Sequence, residues 1–164
     1  MEFKKASPKE AAEIFAIYRE AIGQMQASGI DQWDDVYPTQ AVIERDIANG
    51  EMTVGLIDGA IIFAFVLNNE QWEGYENGAW QHPGLPFKVL HRLCIDPACQ
   101  RKGIGMRTMR YIEALLKSGG TDVLQLDAFP KNSNAIKLYE KLDYIKVGEA
   151  TFRKGLFYLF EKKL

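Results

Sequence analysis

The residues best placed to do chemistry form one short run, Gln100-Arg101-Lys102-Gly103-Ile104-Gly105, between a stretch that reads as a strand and one that reads as a helix. The first N–H groups of a helix have no carbonyl partner and lie at the positive end of its dipole. Glycines there let phosphate oxygens approach the backbone closely, and Arg101, Lys102 and Arg107 add positive charge. In physical terms this is a site for a pyrophosphate. The alternative is a plain strand-to-helix turn that happens to hold two glycines. A nucleoside-triphosphate loop would close on Gly-Lys-Ser or Gly-Lys-Thr, whereas this run continues Gly105-Met106-Arg107. A dinucleotide fingerprint needs a third small residue where Thr108 stands; Asp127 is spaced as its acidic residue, but the repeated strand-helix-strand pattern is missing.

Two further stretches combine carboxylates with aromatic rings, Asp31-Gln32-Trp33-Asp34-Asp35-Val36-Tyr37 and the run from Glu70 to Trp80 with Glu73, Tyr75 and Glu76. Carboxylates attract a cation and aromatic faces hold one. The competing reading is that Trp33, Trp72 and Trp80 pack these loops down while the acids face water. The two cysteines, Cys94 and Cys99, are too few for a disulfide framework. With His91 they match no zinc spacing, and a regular strand would turn His91 and Cys94 to opposite faces, so no metal is expected.

The elements that must position these residues follow from pattern. A strand at Glu2–Lys5 precedes Ser7-Pro8-Lys9-Glu10, which has capping-box spacing with proline at the first helical position. Ala11, Ile14, Phe15, Tyr18, Ile22 and Met25 recur at helical spacing, which predicts a helix to about Ala27. Thr39 caps a short helix ending near Gly50. Met52–Ile57 and Ala60–Leu67 read as strands joined by the hairpin dipeptide Asp58-Gly59. Asn68–Pro86 is a long polar and aromatic connection of the kind that often carries function. A strand at Phe87–Ile95, a helix at Gly103–Lys117, a strand at Val123–Asp127, a helix at Ser133–Leu142 and strands near Tyr144–Glu149 and Leu156–Lys162 complete a mixed α/β order.

The 164 residues, 47% hydrophobic and 26% charged, suit one soluble globular domain spanning 1–164. The longest apolar run, Ala60–Leu67, is far too short to span a membrane, and the N-terminus lacks the layout of a secretion signal, so a cytoplasmic protein without membrane partners is expected. Residues 1–87 hold five basic and 14 acidic residues and residues 88–164 hold 15 basic and eight acidic, so a net charge of −2 divides into −9 and +7. The split suggests an anionic partner for the second half and a cationic one for the first; interleaving of the halves on folding is the alternative.

With these residues in view, the chain resembles the GNAT superfamily of acetyl-CoA-dependent N-acetyltransferases. Its Gln/Arg-x-x-Gly-x-Gly/Ala signature is matched by Gln100, Gly103 and Gly105 after the lead-in Leu93-Cys94-Ile95-Asp96-Pro97. A second signature stands as Asn132-Ser133-Asn134-Ala135 followed by Leu138-Tyr139-Glu140-Lys141-Leu142-Asp143-Tyr144, with Asp143 in place of the usual glycine and Tyr144 in place of phenylalanine. The resemblance covers nearly the whole chain. It implies a central mixed, mostly antiparallel sheet of about seven strands flanked by about four helices. It further implies that strand backbone at Leu93, Cys94 and Ile95 meets the pantetheine arm and thioester of acetyl-CoA, and that the run Gln100, Arg101, Lys102, Gly103, Ile104, Gly105, Met106 and Arg107 holds its pyrophosphate. Asn132 would support the same molecule, and Tyr139 would protonate the departing thiolate; packing within its helix is the other reading of Tyr139.

The acceptor implied is an amine. An alkyl ammonium titrates near pH 10, so it must lose a proton before it attacks. His91 and Glu70 are the candidate bases, and Trp33, Glu70 and Trp80 the candidate acceptor-binding residues, with a cationic amine favoured by the acidic-aromatic loops. An acyl-CoA-binding regulatory module without catalysis and an enzyme using a longer acyl-CoA are the rival readings. A nucleic-acid partner is not expected, since the basic residues are dispersed and form no reader motif. A homodimer is the default assembly for such proteins.

Overall fold

The structure is a computed structural model describing residues 1–164. Seven strands form a sheet in the order β1-β2-β3-β4-β5-β7-β6: β1 (Glu2–Lys5), β2 (Met52–Ile57), β3 (Ala60–Asn68), β4 (Phe87–Ile95), β5 (Val123–Ala128), β6 (Ile145–Phe152) and β7 (Gly155–Lys163). Four helices accompany them: α1 (Ala11–Ala27), α2 (Gln40–Ala48), α3 (Ile104–Ser118) and α4 (Ser133–Lys141). The mixed α/β, mostly antiparallel architecture is the one the sequence implies. The chain divides into two compact units, Met1–Leu67 with His91–Ile104, and Asn68–Leu90 with Gly105–Leu164.

In the first unit β1, β2 and β3 pair antiparallel, and the β2–β3 turn carries positive φ at both Asp58 (51°) and Gly59 (82°), as a two-residue hairpin of matching twist requires. One face of these strands (Met52, Val54, Ile61, Ala64, Val66), with Cys94 of β4, packs against Ile14, Tyr18 and Ile22 of α1 and Ile43 and Ile47 of α2. The period of 2 in the strands and of 3.6 in the helices meets in this core. On β3, Phe63 and Phe65 are both fully buried, and the ring of Phe63 lies over Gly55 of β2. A Cβ at Gly55 would stand 1.8 Å from that ring. Because Phe63 is fully buried and its ring already packs on Phe3 and Phe65, Gly55→Ala is expected to cost about 2–3 kcal/mol by overpacking, seen as a lowered thermal midpoint with the fold retained.

In the second unit Phe87–Leu90 of β4 runs parallel to Val123–Leu126 of β5, β5 pairs antiparallel with β7, and β7 with β6. The long connection after β3 is packed rather than loose. Tyr75 is 1% exposed in a cluster with Val89, Val147, Ala150 and Leu159. Its hydroxyl donates to Asp127 Oδ2 at 2.8 Å, Trp80 Nε1 donates to the Tyr75 carbonyl at 2.8 Å, and the Ala79 and Gln81 amides donate to the Val147 carbonyl and Glu161 Oε2, each at 2.7 Å.

All four helices end alike. The N–H two residues past the C-cap reaches the carbonyl of the third residue from the helix end: Ile30 to Met25, Glu51 to Asp46, Thr121 to Leu116 and Tyr144 to Tyr139, at 2.9–3.0 Å. This closure needs a left-handed residue, which Gly29, Gly50 and Gly120 supply freely. After α4 the position belongs to Asp143, at φ 63°. Aspartate tolerates that region better than most side chains, so the departure from the signature glycine keeps the turn. The last two strands run longer than the sequence predicts, because their antiparallel pairing continues to Phe152 opposite Gly155.

Candidate functional site

The predicted site residues divide between the two units, the run Gln100–Arg107 passing from the first to the second after Ile104. In the first, β4 does not keep the regular alternation expected of it. Val89, Leu90, His91 and Arg92 are all buried in succession, and Arg92 has φ 51°. A non-glycine residue in this region costs on the order of 1–3 kcal/mol unless its surroundings hold it there. The β4–β5 register ends at Leu90 opposite Leu126, two residues before Arg92. Leu93 and Ile95, just beyond, are half-buried, while Cys94 points into the core at 3% exposure. The regular strand that would turn His91 and Cys94 to opposite faces is interrupted between them at Arg92. His91 is 4% exposed.

After β4 the chain turns through a tight Asx-type bend. Asp96 Oδ1 accepts from the Ala98 amide at 2.8 Å, and the Asp96 amide donates to the Ile62 carbonyl at 2.8 Å. Gln100 Nε2 donates to the Ile95 carbonyl at 3.2 Å, so the signature glutamine braces the strand end. Arg101 (φ 62°) and Gly103 (φ 72°) then take left-handed conformations, and α3 begins at Ile104, one residue later than predicted because Gly103 is not helical. Gln100, Arg101, Lys102, Gly103 and Arg107 are exposed, Gly105 and Met106 half-buried, and Ile104 is anchored at 2% exposure. No atom outside the immediate chain lies within 4 Å of a Cβ built at Gly103. The free N–H groups of the first turn of α3, an unobstructed glycine and three exposed cations form a donor set that fits a pyrophosphate.

In the second unit, Asn132 caps α4, its Oδ1 accepting from the Ala135 amide at 3.2 Å. Tyr139, two turns on, is 7% exposed between the rings of Tyr144 (5.8 Å) and Phe160 (6.0 Å). Burial, and secondly the charge of Asp127, push its phenol well above the ordinary tyrosine value. It therefore keeps its proton at any physiological pH. Burial likewise pushes the Cys94 thiol far up, so Cys94 is no thiolate nucleophile.

The candidate acceptor residues are divided between the chain's two units. Trp33 is 8% exposed in the first core, its ring 5.6 Å from that of Tyr18. Trp80 stacks on Tyr75 at 5.7 Å in the second, and Glu70 is exposed. A further group escapes the sequence reading altogether. Arg92 Nε stands 2.8 Å from Asp46 Oδ2, and Arg92 Nη1 donates to the Tyr37 hydroxyl at 2.6 Å. A usable signal existed: Asp46 shares the apolar face of α2 with Ile43 and Ile47, and Arg92 interrupts an apolar strand.

The Acetyltransferase (GNAT) family matches residues 13–144, and the chain belongs to it. It is 32% identical over 73 residues to a [ribosomal protein bS18]-alanine N-acetyltransferase of Salmonella typhimurium, a match covering 44% of this chain and 47% of that one, so it spans about half the length of this relative. Its fold is similar to that of a GNAT-family acetyltransferase from Streptococcus agalactiae, with a TM-score of 0.87, 24% identity and coverage of 99% and 95% of the two chains. It is also similar to a PaiA N-acetyltransferase from Thermoplasma acidophilum in complex with coenzyme A, with a TM-score of 0.74, 18% identity and coverage of 99% and 98%. No helix is long and apolar enough to cross a membrane.

Proposed function

We propose that this protein transfers the acetyl group of acetyl-CoA to a primary amine of a small molecule or peptide, by direct attack in a ternary complex. The observation that carries the reading is the turn Gln100–Gly105, open at Gly103, positively charged and leading into α3, in a chain of the GNAT family. Acetyl-CoA supplies an activated acyl group on a thiol of pKa near 8.5, a fair leaving group. In this proposal Arg101, Lys102, Arg107 and the amides from Gln100 to Arg107 bind its pyrophosphate. Leu93, Cys94 and Ile95 align the pantetheine arm along β4, and Asn132 supports it from α4. Tyr139 gives its proton to the departing sulfur. A protonated, buried Cys94 speaks against an acetyl-cysteine route and for direct attack.

The proton of the ammonium passes to His91 or Glu70, directly or through water. On the acceptor side the proposal rests on Glu70, the exposed carboxylate suited to a cation. An assay of thiol release over a panel of cationic and neutral amines tests the reading. Turnover of cationic amines, weakening as salt is raised, is the expected result. Tight acetyl-CoA binding with no turnover of any amine would instead favour a regulatory acyl-CoA-binding module.

A further inference from the structure

Arg92 is held at both ends. Its carbonyl accepts a hydrogen bond from the Tyr18 hydroxyl of α1 at 2.5 Å. Its guanidinium meets Asp46 of α2 at 2.8 Å and Tyr37, in the segment before α2, at 2.6 Å, with the Tyr37 ring 6.0 Å below the guanidinium carbon. The side chains of Arg92 and Asp46 are 2% and 1% exposed, so the pair is sealed from water. A buried ion pair brings little net stability, because desolvating two charges offsets their attraction; what it fixes is geometry. Here the fixed object is a left-handed residue inside a strand, at φ 51°, a conformation an arginine would not hold unaided.

The residue that follows is Leu93. We infer that Arg92 is a positioning residue: clamped by Asp46, Tyr37 and Tyr18, it turns the strand so that the backbone of Leu93–Ile95 points toward the donor thioester. This rests on the proposed acetyl transfer. The buried Arg92 side chain touches neither donor nor acceptor; it acts through the direction of the next three peptide groups. The clamp also explains why a charged pair sits where an apolar one would pack more simply. Trp33, from the same loop as Tyr37, packs on Tyr18, so one loop supports both ends of the arginine.

Two variants separate positioning from plain stability. Tyr18→Phe removes only the hydrogen bond to the carbonyl, and the pair Arg92→Met with Asp46→Leu removes both buried charges together, leaving no buried charge unpaired, since Arg45, which also meets Asp46 at 3.5 Å, is exposed. Residual dipolar couplings of backbone amides report direction without any ligand. The couplings of Leu93, Cys94 and Ile95 should change in both variants while those of β2 and β3 stay, kcat should fall by about tenfold or more, and affinity for coenzyme A lacking the acetyl group should stay within about threefold. Should the double variant not fold, Arg92→Lys, which keeps a charge for Asp46 and gives up the planar fork, carries the same comparison. Unchanged couplings in the folded variants would overturn the inference. So would changed couplings with wild-type kcat, or a kcat loss matched by an equal loss of coenzyme A affinity. Wild-type protein that neither binds acetyl-CoA nor turns over would overturn the proposed function and the catalytic role of Arg92 with it, while the couplings would still show whether the clamp directs the strand.

Discussion

Gly103→Asp should abolish useful acetyl-CoA binding and leave the protein folded. Gly103 is left-handed at φ 72°, where aspartate is tolerated better than most L residues, and the space around its Cβ position is open. The substitution therefore strains the chain little. It does place a carboxylate beside the amides that would hold the pyrophosphate, and like charges in a site built for an anion repel. A weakening of at least about 100-fold, or ~2.7 kcal/mol, is expected, read by calorimetric titration. Gly103→Ala gives the comparison without the charge and should lose much less. Equal binding by wild type and Gly103→Asp would mean that the turn is only a turn.

Tyr139→Phe should lower kcat by about 10- to 100-fold with little change in KM, since a thiol leaves passably without an acid and a positioned one still helps. The ring contacts with Tyr144 and Phe160 survive the change, so folding should not suffer. The pH profile makes the test sharper. Burial first and Asp127 second raise the phenol's pKa well above its ordinary 10.0, so the folded enzyme keeps the acid protonated through the assay range. An acid that must be protonated imposes a falling limb only at its own pKa. No falling limb below about pH 10 should therefore trace to Tyr139, and the variant should lower the plateau without reshaping its alkaline side. Wild-type kcat in Tyr139→Phe would return this tyrosine to a packing role.

Much of this site was legible because its signals are local. The glycines, cations and strand-to-helix change at 100–105 lie within six residues, and the helix cap at Asn132 and the aromatic turn at Tyr139 to Tyr144 lie within thirteen. The hairpin at Asp58-Gly59 declares its own turn in the same way. The left-handed turn at Arg92 was not legible, because nothing in Val89 to Ile95 marks one residue for that conformation. Its cause lies in Tyr18, Tyr37 and Asp46, on three separate segments that only folding gathers. The loop tryptophans are an intermediate case. Their residue types suit both a cation pocket and a core, and Trp33 and Trp80 each have an aromatic neighbour that a sequence cannot assign.

The most direct test is titration of the wild-type protein with acetyl-CoA, followed by calorimetry. One site of micromolar affinity per chain is expected, weakened as salt is raised because exposed cations contribute to it. Absence of binding at concentrations well above that range would contradict the reading of Gln100–Arg107 as a pyrophosphate site, and the proposed acetyl transfer with it.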